Sequence, residues 1–194
     1  MPVTTEAFKE VFGILKELAA GVKTAVQFPE NERKEMREAI ADTAELIDET
    51  LTILKQHLTS VLSALKFGNK PTAQQMIYEL QSFPAWEDRF RRFQLCDSLR
   101  LATHNLEQKG LYKLLNTFAF SNPDEMHEKM CKYIGGEANA AESVKIMLEN
   151  LSELAAVVDT DFDRVVKELE DARREVSRWR QAFIDFELEI RNTV

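Results

Sequence analysis

The amino-acid sequence predicts an all-α fold: an elongated antiparallel helical bundle with two long heptad-patterned helices, at about 30–66 and 141–191, and shorter helices between them. Three observations carry this prediction. Gly and Pro are scarce, with 6 and 5 among 194 residues, roughly half their usual combined share of about 12%. That is too few for the turn needed about every ten residues by a β-sandwich or barrel. No run of four or more residues alternates apolar and polar in a β-rich composition. Two stretches instead place apolar residues at alternating spacings of four and three, the period of a helix that keeps one seam against a partner. A hydrophobic content of 44% excludes global disorder. One domain covering 1–194 is expected, with 168–194 as a candidate coiled-coil-like arm projecting from it.

The first helix is predicted from about Thr5 to Gln27, with Phe8, Val11, Leu15, Leu18, Val22 and Ala25 on one face. Phe28-Pro29-Glu30 ends it and starts the next, because Pro suits a first helical turn and Glu30 and Glu32 suit its positive end. The second helix runs to about Lys66 on the seam Ile40, Ala44, Ile47, Leu51, Leu54, Leu58, Val61 and Leu65, and Gly68-Asn69 stops it. Thr72 with Gln75 reads as a capping box for a short helix to about Gln81. Pro84 starts another, which Gly110 interrupts, and Leu111–Phe120 forms one more. Asn122-Pro123-Asp124-Glu125 starts the next helix, which Gly135-Gly136 closes.

The last helix carries the most regular pattern. Val144, Leu148, Leu151, Ala155, Val158, Phe162, Val165, Leu169, Ala172, Val176, Trp179, Phe183, Phe186 and Ile190 follow the 4-3 spacing without a slip, and no Gly or Pro lies between Ala138 and Val194. Asp159-Thr160-Asp161-Phe162-Asp163 offers one break, with Thr160 as a cap. The seam keeps its phase there, so a continuous helix over 142–190 is expected, about 73 Å long at ~1.5 Å per residue. A compact globule of this length has a radius of gyration near ~16 Å, so the molecule should be rod-like. Antiparallel pairing with the second helix is the economical arrangement. In its first half the seam is widened by Met147, Leu154 and Val166, as a multi-helix bundle needs. In its second half Arg173, Arg180 and Glu187 flank one side and Glu168, Glu175 and Glu189 the other, the edge pattern of a two-stranded contact.

Lys and Arg number 25 and Asp and Glu 33, a formal charge of −8, which disfavours a general nucleic-acid or anionic-membrane binder. Cys96 and Cys131 sit far apart in helical patterns and are expected to be reduced thiols. No signal-peptide pattern opens the chain. Its longest uncharged stretches are ten residues, Gln56–Leu65 and Leu114–Pro123, against about twenty for a membrane span. A cytoplasmic protein is the expectation.

Catalytic patterns are absent: no phosphate-binding glycine loop, dinucleotide fingerprint, paired Cys-x-x-Cys or His-Glu-x-x-His occurs. Asp124-x-x-His127 occurs once, where a di-iron bundle needs Glu-x-x-His twice. His127 and Cys131 share a helix face, but Cys96 and His104 are eight apart, about 12 Å along a helix, too far to complete a zinc site with them. His57 reads as a boundary residue of the second helix. Trp86, Phe90 and Phe93 with Arg89, Arg91 and Arg92 fit either a buried aromatic face with solvated arginines or a binding face for an anion or protein.

The function that follows is non-enzymatic. The chain reads as a protein–protein interaction or scaffold module that self-associates, as a homodimer, or docks a partner helix through its C-terminal helix. Trp179, Phe183, Phe186, Ile190 and Val176 are the candidate contact residues, and Arg173, Glu175 and Arg180 the candidate register charges. The competing reading of these residues is intramolecular cover by the first or middle helices. A membrane-associating or membrane-shaping bundle is the alternative function, disfavoured by the acidic balance and the lack of a basic amphipathic face. No cofactor, metal, nucleic acid or small-molecule substrate is expected.

Overall fold

A computed structural model of the chain describes residues 6–81, 124, 125, 128, 129, 132 and 140–192. Five helices order residues 6–81 and 140–192: α1 (Glu6–Thr24), α2 (Glu30–Lys66), α3 (Lys70–Tyr78), α4 (Ala140–Ser152) and α5 (Phe162–Asn192), and residues 124, 125, 128, 129 and 132 are helical as well. Short 3-10 turns follow α3 at Glu79–Gln81 and α4 at Glu153–Val157, and no strand occurs among the described residues. The protein is all-α, and its two longest helices, α2 and α5, pack together. The helices expected between Pro84 and Phe120, with Cys96, His104 and the Trp86–Arg92 segment, lie outside the described residues, as do His127 and Cys131.

Local chemistry sets the boundaries of α2. Pro29, with φ −53° and ψ 144°, precedes the first helical residue, and its carbonyl accepts from Arg33 N at 3.1 Å. Glu30 answers the unpaired N–H groups of the first turn and reaches forward to Arg33 and Arg37. At the other end Gly68 takes φ 75°, a left-handed conformation that costs a side-chain-bearing residue about 1 kcal/mol or more. This lets Asn69 N bond Ala64 O at 3.0 Å and Gly68 N bond Leu65 O at 3.1 Å, closing the helix. The cap of α3 is Asn69, whose Oδ1 accepts from Thr72 N at 3.3 Å, and not Thr72 as the capping-box pattern suggests. Pro71 fits the first turn, the start lies three residues earlier than that pattern gives, and Gln75 turns forward to Glu79 instead of back.

The two seams are buried as their period demands. On α2, Ile40, Ala44, Ile47, Leu51, Leu54, Leu58, Val61 and Leu65 are each 2% exposed or less. Each buried Leu or Ile contributes roughly 1.5–3 kcal/mol. Helix α5 runs antiparallel to α2, for Lys66 at the end of α2 meets Glu170 while Arg191 meets Asp42 and Glu45. Residues 168–192 therefore lie along α2, which corrects the expectation of a projecting arm. The apolar stripe gains more by covering α2 and α1 within the chain than by standing in water.

Continuity through 158–162 is likewise corrected. The backbone tightens into a 3-10 turn over Glu153–Val157, turns, and restarts as α5 at Phe162. Asp161 carries the first α5 hydrogen bond, from Val165 N at 3.1 Å. Gln74 Nε2 of α3 donates to the Ala155 carbonyl at 2.8 Å. Helix α4 packs against α1, α3 and the 79–81 turn, so a contact from outside the segment holds a break that no Gly or Pro encodes.

Candidate helix-docking site

The groove between α1 and α2 receives the second half of α5. Helix α1 offers Phe8 and Phe12, one turn apart on one face. Helix α5 offers Trp179, Phe183 and Phe186, spaced four and three. The Phe12 ring meets Phe183 edge-on at 5.3 Å between centroids, Phe186 at 5.6 Å and Trp179 at 6.0 Å. Phe8 lies 6.4 Å from Trp179 in a tilted pair, and Trp179 and Phe183 are 6.3 Å apart. Edge-to-face pairs of this kind each add about 0.5–1.5 kcal/mol beyond burial. Phe183 is fully buried, and Val176, Phe186 and Trp179 are 4%, 4% and 8% exposed, while Ile190 is partly buried against the same core. The indole N–H of Trp179 is buried without a hydrogen-bond partner, and the Arg178 guanidinium lies over its ring at 5.7 Å.

Ion pairs edge this apolar stripe. Arg180 Nε lies 2.9 Å from Asp48 Oδ1 and donates its proton to Thr52 Oγ1 at 2.7 Å. Asp48 thus receives the charge without an aligned hydrogen bond to that oxygen, which is buried. Burial pushes the Asp48 carboxyl above its ordinary pKa, and the attraction of Arg180 offsets only part of that rise. Arg191 forks to Asp42 Oδ1 (3.0 Å) and Glu45 Oε2 (2.8 Å) while its Nε donates to Glu187 Oε1 at 2.7 Å. Glu187 foremost, and then Asp42, raise the guanidinium's pKa further. Near the other end Lys66 Nζ meets Glu170 at 3.0 Å and holds that carboxyl below its ordinary pKa. Arg164 does the same to Glu168 at 2.8 Å.

The sequence-predicted residues divide accordingly. Val176, Trp179, Phe183 and Phe186 come together, but against this chain's own α1 and α2, so they present no open face to a partner. Intramolecular cover is what the structure shows for them. Of the three register charges, Arg180 alone is seen to bridge to α2. Glu175 faces Arg178 of its own helix at 3.5 Å, and Arg173 accepts from Ser177 through its carbonyl while its charge acts on Glu170. Sequence reasoning missed Phe12, Asp48, Asp42, Glu45 and Arg191. Asp48 and Glu45 sit beside the α2 seam, the positions where an acid answers a basic flank on a partner, so pairing the two flanks would have found them. Among the described residues no group of His, Cys, Asp and Glu is arranged to hold a metal ion, and no helix is long and apolar enough to cross a membrane. No protein-family model matches the chain, and no curated protein or solved structure is significantly similar to it.

Proposed function

We propose that the protein is a non-enzymatic interaction module of the cytoplasm that self-associates as a homodimer through α5. One observation supports the reading: α5 lies in the α1–α2 groove in the manner of a helix-in-groove contact. An aromatic stripe lies at its centre, and Arg180–Asp48, Arg191–Asp42/Glu45 and Lys66–Glu170 fix its register. A core helix needs only an apolar face. Charges paired between the helices along one edge favour one helix, in one register and direction, over others. Such a site serves equally when the helix comes from another chain.

Light scattering across a concentration series tests the proposal. A mass rising from 22.3 kDa toward twice that value is the expected result. A mass that stays at the single-chain value up to millimolar concentration removes the reading.

A further inference from the structure

We propose that residues 153–161 are a hinge through which two copies of this chain exchange α5, each α5 docking in the α1–α2 groove of the other copy. The proposal rests on the self-association reading and specifies its interface. Helices α4 and α5 both touch α1, but α4 otherwise packs on α3 and the 79–81 turn while α5 lies along α2. Helices set on such different surfaces have little packing reason to share one phase. Yet the 4-3 seam passes from Val144 to Ile190 without a slip, and Val158, inside the turn, is fully buried in step with it. A shared phase has a use in a state where 140–192 is one straight helix.

The local backbone is close to that state. Ser152 (φ −64°, ψ −27°) and Val158 (φ −55°, ψ −38°) both keep right-handed helical angles. Asp161 N already donates to Val157 O at 2.8 Å, the four-residue spacing of an α-helix. The bend is fastened from α3. Gln74 occupies the Ala155 carbonyl, which a straight helix would offer to its own backbone, and Lys70 lies 4.0 Å from Asp159 and 5.2 Å from the Phe162 ring centroid. Asp159 and Asp163 would be neighbours four apart in the straight form, a like-charge pair that favours the bend. Once α5 swings out as an extension of α4, its aromatic stripe and its own vacated groove both need cover. A second copy supplies each reciprocally, with the α5 contacts to the α1–α2 groove preserved in a closed two-fold pair.

Native residues provide the test. Unlabelled and ¹⁵N-labelled full-length chains are unfolded together, refolded at high concentration and coupled with a zero-length carbodiimide. The reagent joins Lys66 to Glu170, which touch across the groove. Exchange predicts that about half of the Lys66–Glu170 peptide pairs in the dimer fraction carry mixed isotopes, the random-pairing value for a two-fold assembly. A dimer whose pairs are all of one isotope overturns exchange while leaving self-association intact, and a chain that is monomeric throughout overturns both.

Hinge variants give a second readout. Phe162→Pro suits the first turn of α5 and forbids the straight helix, so it should weaken dimerisation about a hundredfold or more. Asp159→Ala with Asp161→Ala, both exposed sites, should strengthen it several-fold by removing repulsion and raising helix propensity. A Phe162→Pro protein that dimerises like the parent overturns the hinge.

Discussion

Replacing Phe183 by Ala tests whether the centre of the α5 stripe is interior to the fold. The side chain is fully buried, 5.3 Å from Phe12 and 6.3 Å from Trp179 between ring centroids. Losing a buried ring removes about 2–3 kcal/mol of apolar transfer, about 0.5–1.5 kcal/mol of aromatic pairing, and leaves a cavity that helices tied by ion pairs close poorly. A total near ~4 kcal/mol is expected. For a chain of 194 residues the unfolding entropy near 60 °C is on the order of 0.4 kcal/mol/K, so the melting temperature should fall by about 10 °C. Leu188→Ala, on the same helix but 53% exposed, is the control and should stay within about 0.5 kcal/mol. Thermal melts followed by circular dichroism at 222 nm, with urea titrations at constant slope, measure both. A Phe183→Ala cost below about 1 kcal/mol would refute the packing described for α5, since no fully enclosed ring is removed so cheaply.

Asp48→Asn should change the pH dependence of stability in a defined direction. The folded pKa of Asp48 lies above its unfolded value, so the folded protein takes up this proton first, and as pH falls through that raised value toward the unfolded one the parent gains on the variant in urea midpoint. Glu30, Glu168 and Glu170 act oppositely: their pKa values are lowered, and their contributions disappear as pH falls through those lowered values, below about 4.5. Arg191→Ala severs partly exposed pairs to Asp42, Glu45 and Glu187 and should cost no more than about 1 kcal/mol at low salt, shrinking toward zero at about 1 M salt in denaturant titrations. Gly68→Ala meets no atom within 4 Å but must hold φ 75°, so a loss of about 1 kcal/mol at unchanged helicity is expected in the same titrations.

How much was legible follows from which forces are local. Helix α2 runs from Glu30 to Lys66 as its punctuation predicts, because Pro29, Glu30 and Gly68 act through their own backbone. The seam residues are buried because a 3.5-residue period has meaning only against a partner. What covers the α5 stripe was not legible, since an apolar face states that it needs cover and not whose. Phe12 lies one residue off the simplest α1 face, and only its meeting with three α5 rings gives it importance. The break before Phe162 escaped for a related reason. Its cause is Gln74 and Lys70, more than eighty residues away in sequence, and phase, the usual witness of a break, is silent when both sides keep it.

That silence sets a condition on helix exchange. Every contact of α5 in its own groove can be made in another copy's groove, so those contacts cancel between the closed chain and the exchanged pair. What remains is the hinge, counted twice per dimer, against the high effective concentration of a tethered α5. For a short flexible tether that concentration is on the order of millimolar, so a hinge indifferent to bending gives dimers only near millimolar protein. Each tenfold improvement requires about 1.4 kcal/mol per dimer, and micromolar assembly therefore requires about 2 kcal/mol per hinge in favour of the straight form. The Gln74 hydrogen bond, the Lys70 contacts and the Asp159–Asp163 repulsion all oppose it, each in the range of about 0.3–1.5 kcal/mol. Regular α-helical hydrogen bonding through 153–161, with better geometry than the 3-10 turn, favours it. These terms are of one size, so the hinge lies near balance, where one partner that removes Gln74 from the Ala155 carbonyl shifts the assembly state by an order of magnitude.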